Sequence, residues 1–181
     1  YNISKSSSFY ALGLSYKKAD ADIRGRFSLD ENSKINVLNQ AKENGIESLV
    51  VTSTCNRTEI YGFAQHPFQL IQLLCENTKG TVEEFQRVAY IYKNKEAISH
   101  MFRVGSGLDS QILGDFEIIS QIKKSAVVSK KANLLNPFLE RLVNAVIQAS
   151  KRIKTETEIS SGATSVSFAS VQYVFRSVED V

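Results

Sequence analysis

Over the first half of the chain, short apolar runs alternate with longer amphipathic stretches. Phe9–Ser15 (FYALGLS) is short, apolar and followed by polar turn residues, and predicts a strand. Ser28–Asn44 carries its acids early and repeats Ile35, Leu38 and Ala41 at helical spacing, with Gly45 placed to end it. It predicts an amphipathic helix. Ser48–Ser53 (SLVVTS) is β-branched and apolar between polar residues, so a buried strand is expected. Thr58–Ala64 predicts the next strand, reached through the tight connection Thr54-Cys55-Asn56-Arg57. Pro67 opens a helix through about Glu76, and Thr81-Val82-Glu83-Glu84 is a capping-box pattern for a short one. Val88–Tyr92 predicts a fourth strand. The order strand, helix, strand, strand, helix, strand is the ferredoxin-like split βαβ pattern.

After Lys93 the pattern is helical. Lys95–Val104 predicts one helix, stopped by Gly105-Ser106-Gly107; Gly114–Val128 and Asn133–Lys154 predict two more. In the last of these Leu135, Phe138, Leu142, Ala145, Val146, Ala149 and Ile153 keep one face apolar. A final helix is expected from near Ser165. The expected fold is therefore α+β: a ferredoxin-like βαββαβ antiparallel sheet with additional C-terminal helices.

Composition narrows the class. At 181 residues the chain is long enough for one real core, and 43% apolar with 23% charged residues excludes a disordered or low-complexity chain. Two cysteines exclude a disulfide scaffold and point to free thiols in a reducing, cytoplasmic setting. No apolar run approaches the roughly 20 residues of a membrane helix, and Tyr1–Ser15 lacks the pattern of a signal peptide. The helical pattern still running at Val181 suggests a piece of something longer. Charge is unevenly placed. Lys123–Lys154 holds eight basic residues against one acid, a local +7 in a chain whose total is +3, which leaves −4 elsewhere. Such asymmetry fits a polyanionic partner such as nucleic acid, or a solvated lysine-rich helix face.

Cys55 is the first candidate for chemistry. A turn at the end of a buried strand can hold a side chain rigidly and still reach solvent, and Arg57, two residues on, could favour the nucleophilic thiolate. The alternative is a buried structural cysteine, which is the reading for Cys75 inside an apolar helix. A thiol nucleophile needs an acid/base partner; His100, late in its helix, can project to that end, whereas His66 precedes Pro67 in a loop. The four Cys and His residues at 55, 66, 75 and 100 show no metal-ligand spacing. Gly105 and Gly107 follow a helix, and Ser110 stands where a third glycine would be needed, so no dinucleotide fingerprint is present.

Ser53-Thr54-Cys55-Asn56-Arg57-Thr58-Glu59-Ile60-Tyr61 is the most specific string in the chain, and it resembles the signature of the glutamyl-tRNA reductase family. Three further blocks are similar, in order: Gly13-Leu14-Ser15 with Ile23-Arg24; His100 with the run Val104 to Gly114 (VGSGLDSQILG); and Ala149 to Thr157 followed by Ser165-Val166-Ser167. The resemblance implies NADPH-dependent reduction of glutamyl-tRNA to glutamate-1-semialdehyde through a Cys55 thioester, the first step of tetrapyrrole synthesis from glutamate. It implies His100 as acid/base or leaving-group partner and Arg57 on the substrate's γ-carboxylate. Thr54, Ser106, Ser110, Asp115, Glu117 and Gln121 are implied to line the substrate pocket. The basic run from Lys123 would face phosphates.

The resemblance also implies a division at about residue 160: a catalytic domain over 1–160 and the start of a connecting helix over 161–181. NADPH would be bound by a domain not contained in these residues, as would the dimerisation helices. Glutamyl-tRNA is the implied partner, with a homodimer and a downstream aminomutase beyond it, and no membrane. Two departures stand out: Tyr16 where the family usually carries His, and Gly114-Asp115-Phe116-Glu117 where it usually reads Gly-Glu-x-Gln. The competing reading is a degenerate RNA-binding or partner-binding module in which Cys55 is structural. The two differ in whether Cys55 is reactive.

Overall fold

The computed structural model describes residues 7–109 and 117–159. Four strands, β1 (Ser8–Ser15), β2 (Leu49–Ser53), β3 (Arg57–Ala64) and β4 (Tyr90–Lys93), form one antiparallel sheet in the order β2-β3-β1-β4. Between β1 and β2 run α1 (Ala21–Arg26) and α2 (Glu31–Glu43); between β3 and β4 run α3 (Pro67–Glu76) and α4 (Val82–Val88). Each crossover passes over one strand. After β4 come α5 (Lys95–Gly105), α6 (Glu117–Lys131) and α7 (Pro137–Ile159).

Both faces of the sheet are covered along β1, β2 and β3, which is why those strands read as near-continuous apolar runs, whereas edge strand β4 alternates and leaves Ile91 exposed. Tyr10, Leu12, Leu14, Leu49, Val51 and Ile60 point to one face, against α2, α3 and Phe85 of α4. Phe9, Ala11, Val50 and Tyr61 point to the other, against apolar residues of α5, α6 and α7. No helix among the described residues is long and apolar enough to cross a membrane.

Several boundaries depart from the sequence reading. Helix α1 has no apolar period of its own and is set by Asp20, whose carboxylate accepts the Ile23 N–H. In α2 the buried residues are Val37, Leu38 and Ala41, while Ile35, expected on the apolar face, is 47% exposed. Val88 ends α4 instead of opening β4, because the Thr81–Glu84 capping box starts a helix whose last bond is Ala89 N–H to the Phe85 carbonyl. α7 starts at Pro137 rather than Asn133. Proline disfavours helical backbone in the residue before it, and Asn136 caps the helix by accepting the Leu139 N–H. The helix expected from Ser165, and the division at residue 160, lie outside the described residues.

Candidate functional site

The three residues Thr54, Cys55 and Asn56 join β2 to β3. Thr54 N–H donates to the Arg57 carbonyl (2.8 Å), and Asn56 N–H donates to Thr54 Oγ1 (3.2 Å), which closes the turn on itself. The flanks are held from outside. Tyr16 N–H donates to the Asn56 carbonyl (2.9 Å), and Arg24 Nε donates to the Cys55 carbonyl (2.9 Å) while its Nη1 reaches the Ala19 carbonyl (2.7 Å). Ser53 and Thr58 hydroxyls meet at 2.9 Å at the base of the turn. Cys55 is thus exposed on a turn whose Cys55 and Asn56 carbonyls are already engaged. That combination suits a nucleophile, because the backbone need not be ordered when substrate arrives.

One face of β3 carries Arg57, Glu59 and Tyr61, all buried. Glu59 is a carboxylate with four donors around it: Tyr61 Oη at 2.8 Å, Tyr90 Oη at 2.5 Å, His100 Nε2 at 2.5 Å and Arg57 Nη1 at 3.4 Å. Burial alone would push its pKa up; His100 and Arg57 outweigh that and hold it down at about 2. Burial pushes the Tyr61 and Tyr90 hydroxyls well up, and the negative charge of Glu59 adds to it. The Arg57 guanidinium also binds the Asp109 carboxylate (3.2 Å) and carbonyl, and Asp109 in turn takes Lys17. For Arg57 burial favours the neutral form, but Glu59 leads the charges that raise its pKa above the ordinary value, so it stays a cation. His100 packs against the rings of Tyr90 (centroids 4.9 Å) and Tyr92 (4.8 Å), which also touch each other (5.5 Å).

Gly13 makes this arrangement possible. It stands between Glu59 on β3 and Tyr90 on β4 in one cross-strand row. A Cβ there would lie 2.1 Å from the Thr58 carbonyl oxygen and 3.1 Å from Glu59 Cγ. Its absence lets the Glu59 side chain cross to the Tyr90 hydroxyl.

The structure brings only part of the expected set together. Cys55 and Thr54 share the turn, and Arg57 and His100 share the Glu59 network. Arg57, expected at the thiol and on a substrate carboxylate, is 4% exposed and turned to Glu59 and Asp109, since its strand position points it under the sheet. Ser106 is fully buried, with its hydroxyl on the Arg103 carbonyl at the end of α5. Gln121 lies instead in a cleft between α2 and α6, lined by neither Cys55 nor His100. Ser110 and Asp115 lie outside the described residues, and Glu117 is the first residue of α6. Cys75 is half-buried, and burial, with Glu83 and Glu76, pushes its thiol up to about 11. His66 is no loose loop residue. Its Nδ1 accepts the Phe68 N–H (3.1 Å) and caps α3.

Glu59, Tyr61, Tyr90, Tyr92, Asp109, Lys17 and Arg24 are the members to which the sequence reading gave no role in the site. Their signal was the Arg57-Glu59-Tyr61 alternation, polar groups at every second position of a strand with apolar neighbours on both faces. Among the described residues no group of three or more His, Cys, Asp or Glu could hold a metal ion. A dinucleotide does not fit at Gly105-Ser106-Gly107: these residues end a helix instead of opening one, and a Cβ on Gly105 would sit 2.2 Å from Val146. That glycine serves helix packing.

Comparison with known proteins adds three findings. The family described as "Glutamyl-tRNAGlu reductase, N-terminal domain" matches residues 12–157. Glutamyl-tRNA reductase of Flavobacterium psychrophilum is 74% identical over 179 residues, and that of Christiangramia forsetii 73% over 181. The alignments take in 99% and 100% of this chain but only 43% of either relative, so the chain spans under half the length of the curated proteins it matches. The solved structure of glutamyl-tRNA reductase from Methanopyrus kandleri superposes with a TM-score of 0.68 at 25% identity, covering 85% of this chain and 36% of that one.

Proposed function

Because this chain belongs to the glutamyl-tRNA reductase N-terminal domain family, we propose that it is the thioester-forming part of such an enzyme, in the first step of tetrapyrrole synthesis. The observation that carries the reading is the exposed Cys55 on its clamped turn. In the proposed step the Cys55 sulfur attacks the carbonyl carbon of the ester joining glutamate to tRNA. A C–S bond forms, the ester C–O bond breaks, and the ribose oxygen leaves with the proton the thiol gave up. We assign that proton transfer to His100. With Glu59 ionised and acceptor-only, Nε2 carries the ring proton and Nδ1 is left to exchange one.

For Arg57 to grip the substrate's γ-carboxylate, that carboxylate would replace Asp109 on the guanidinium. Thr54 stays a candidate for substrate contact at the turn, and the lysines of α6 for contact with phosphates. NADPH supplies the hydride of the overall reaction; its site is assigned to the part of the relatives that this chain does not span. A homodimer and an aminomutase that consumes the aldehyde rest on the family resemblance alone. The strand order and the two crossovers support reading the sheet as ferredoxin-like, with two helices in each crossover.

The test is mass spectrometry of the protein after incubation with glutamyl-tRNA. A glutamyl adduct on Cys55 that is absent in Cys55→Ser is expected. Identical spectra for the two would refute the reading and leave the binding module.

A further inference from the structure

We propose that the cleft between α2 and α6 is a binding site for a small amphipathic carboxylate, separate from the Cys55 turn. β2 is an edge strand of the sheet, with α2 on one face and α6 on the other. Where the two helices pass the strand they leave a cavity of about 290 Å³, floored by Val51 and Leu38. At the volume a water molecule occupies, that is room for roughly ten non-hydrogen atoms.

Three features of this cleft are unexplained by packing. Its walls include Ile35 at 47% and Val128 at 41% exposure, two large apolar side chains facing water on opposite sides of one gap. Ser129, from the same wall as Val128, is 1% exposed, and its hydroxyl is buried without a hydrogen-bond partner. A buried hydroxyl that loses water and gains nothing is unfavourable, and a ligand oxygen would remove the deficit. Lys34 lines the cleft with only 12% of its side chain exposed, and it pairs with Glu31, itself 84% exposed and able to swing away. Lys124 adds a second ammonium from α6.

Apolar walls with two cations and one unmet hydroxyl match a ligand with a short hydrocarbon tail and a single carboxylate. The tail would cover Ile35, Leu38, Val51 and Val128. The carboxylate would displace Glu31 from Lys34 and be reached by Ser129 after a hop between side-chain rotamers. A neutral ligand would leave Lys34 with its weak partner, and a dianion would exceed the charge on offer once Glu31 is counted.

The experiment titrates sodium octanoate, a ten-heavy-atom probe, into the ¹⁵N-labelled protein and follows backbone amide shifts, with 1-octanol as the uncharged control. Saturable shifts confined to α2, β2 and α6 are expected, with half-saturation below about 1 mM. Lys34→Met should weaken binding about tenfold or more, and Ser129→Ala several-fold. Val128→Trp should fill the cleft and abolish the shifts without touching a charge. Shifts that do not saturate, that spread over the whole chain, or that octanol reproduces at equal concentration would overturn the proposal. So would unchanged affinity in a Lys34→Met protein whose spectrum remains native. None of these readouts involves the thiol, so they stand or fall apart from the acylation test.

Discussion

Replacing Glu59 by Gln keeps the shape of the side chain and removes its charge. The carboxylate now accepts from two tyrosine hydroxyls, from His100 and from Arg57, in a position that is 1% exposed. An amide offers one acceptor oxygen and turns its NH₂ toward groups that are themselves donors. Arg57 would keep Asp109 as its remaining carboxylate in this network. Breaking a buried ion pair from one side costs about 3–5 kcal/mol. A second route to the magnitude is titration. A carboxyl whose ordinary value of 4.5 falls to about 2 on folding stabilises the native state by about 3 kcal/mol at neutral pH. The sign follows from the depressed value. The contribution is complete above pH 4.5, shrinks below it, and is gone once the pH falls past about 2. Urea unfolding followed by circular dichroism at pH 7, 5 and 3 gives the difference between wild type and Glu59→Gln. It should be about 3–5 kcal/mol at pH 7 and smaller by about 2 kcal/mol at pH 3. A difference under about 1 kcal/mol at pH 7, or one that holds constant or grows toward pH 3, would refute the account of Glu59 as a buried, charged hub.

Three other outcomes are expected. Iodoacetamide at pH 7.5, with the modified peptides quantified by mass spectrometry, should label exposed Cys55 at least about a hundredfold faster than half-buried Cys75, whose thiol is pushed up to about 11; equal rates would contradict the geometry. Gly13→Ala should destabilise the protein by more than about 3 kcal/mol, or prevent folding, because its methyl would meet backbone at 2.1 Å; a melting temperature within a few degrees of wild type would disprove the close approach. Arg24→Met should unfasten the Cys55 carbonyl and slow thioester formation roughly tenfold while changing overall stability by less than about 1 kcal/mol, as read by the acylation assay beside a thermal melt. An acylation rate equal to wild type would show the clamp to be irrelevant to the chemistry.

Much of the fold was legible because its signals are local. Thr81 and Pro67 mark helix starts by their own chemistry, and the β2 and β3 runs announce themselves by β-branched and apolar content. Cys55 was legible for the same reason: the residues that form its turn are its neighbours. The Glu59 network was not, because its members meet only through the tertiary fold. His100 is 41 positions from Glu59, Tyr90 is 31, and Asp109 is 52 from Arg57. The alternation of a strand that begins at Arg57 puts Arg57, Glu59 and Tyr61 on one face, but both faces of β3 are buried, so no polar-out rule could say which face or what waits there.

The two parts of the candidate site are linked by the register of β3. The thiol stands at its tip, and the charged residues follow below it at every second position, all on the face covered by α5. A shift of one residue against β1 would turn Arg57, Glu59 and Tyr61 into the opposite core, among the apolar side chains of Leu12, Leu70 and Phe85, and away from the partners they now hold. Eight aligned residue pairs with β1 and five with β2 oppose that slip, and the present register sets Glu59 beside Gly13, where no Cβ stands in its way. The cost of burying these charges on the wrong face therefore fixes the register, and the register in turn sets where Cys55 emerges.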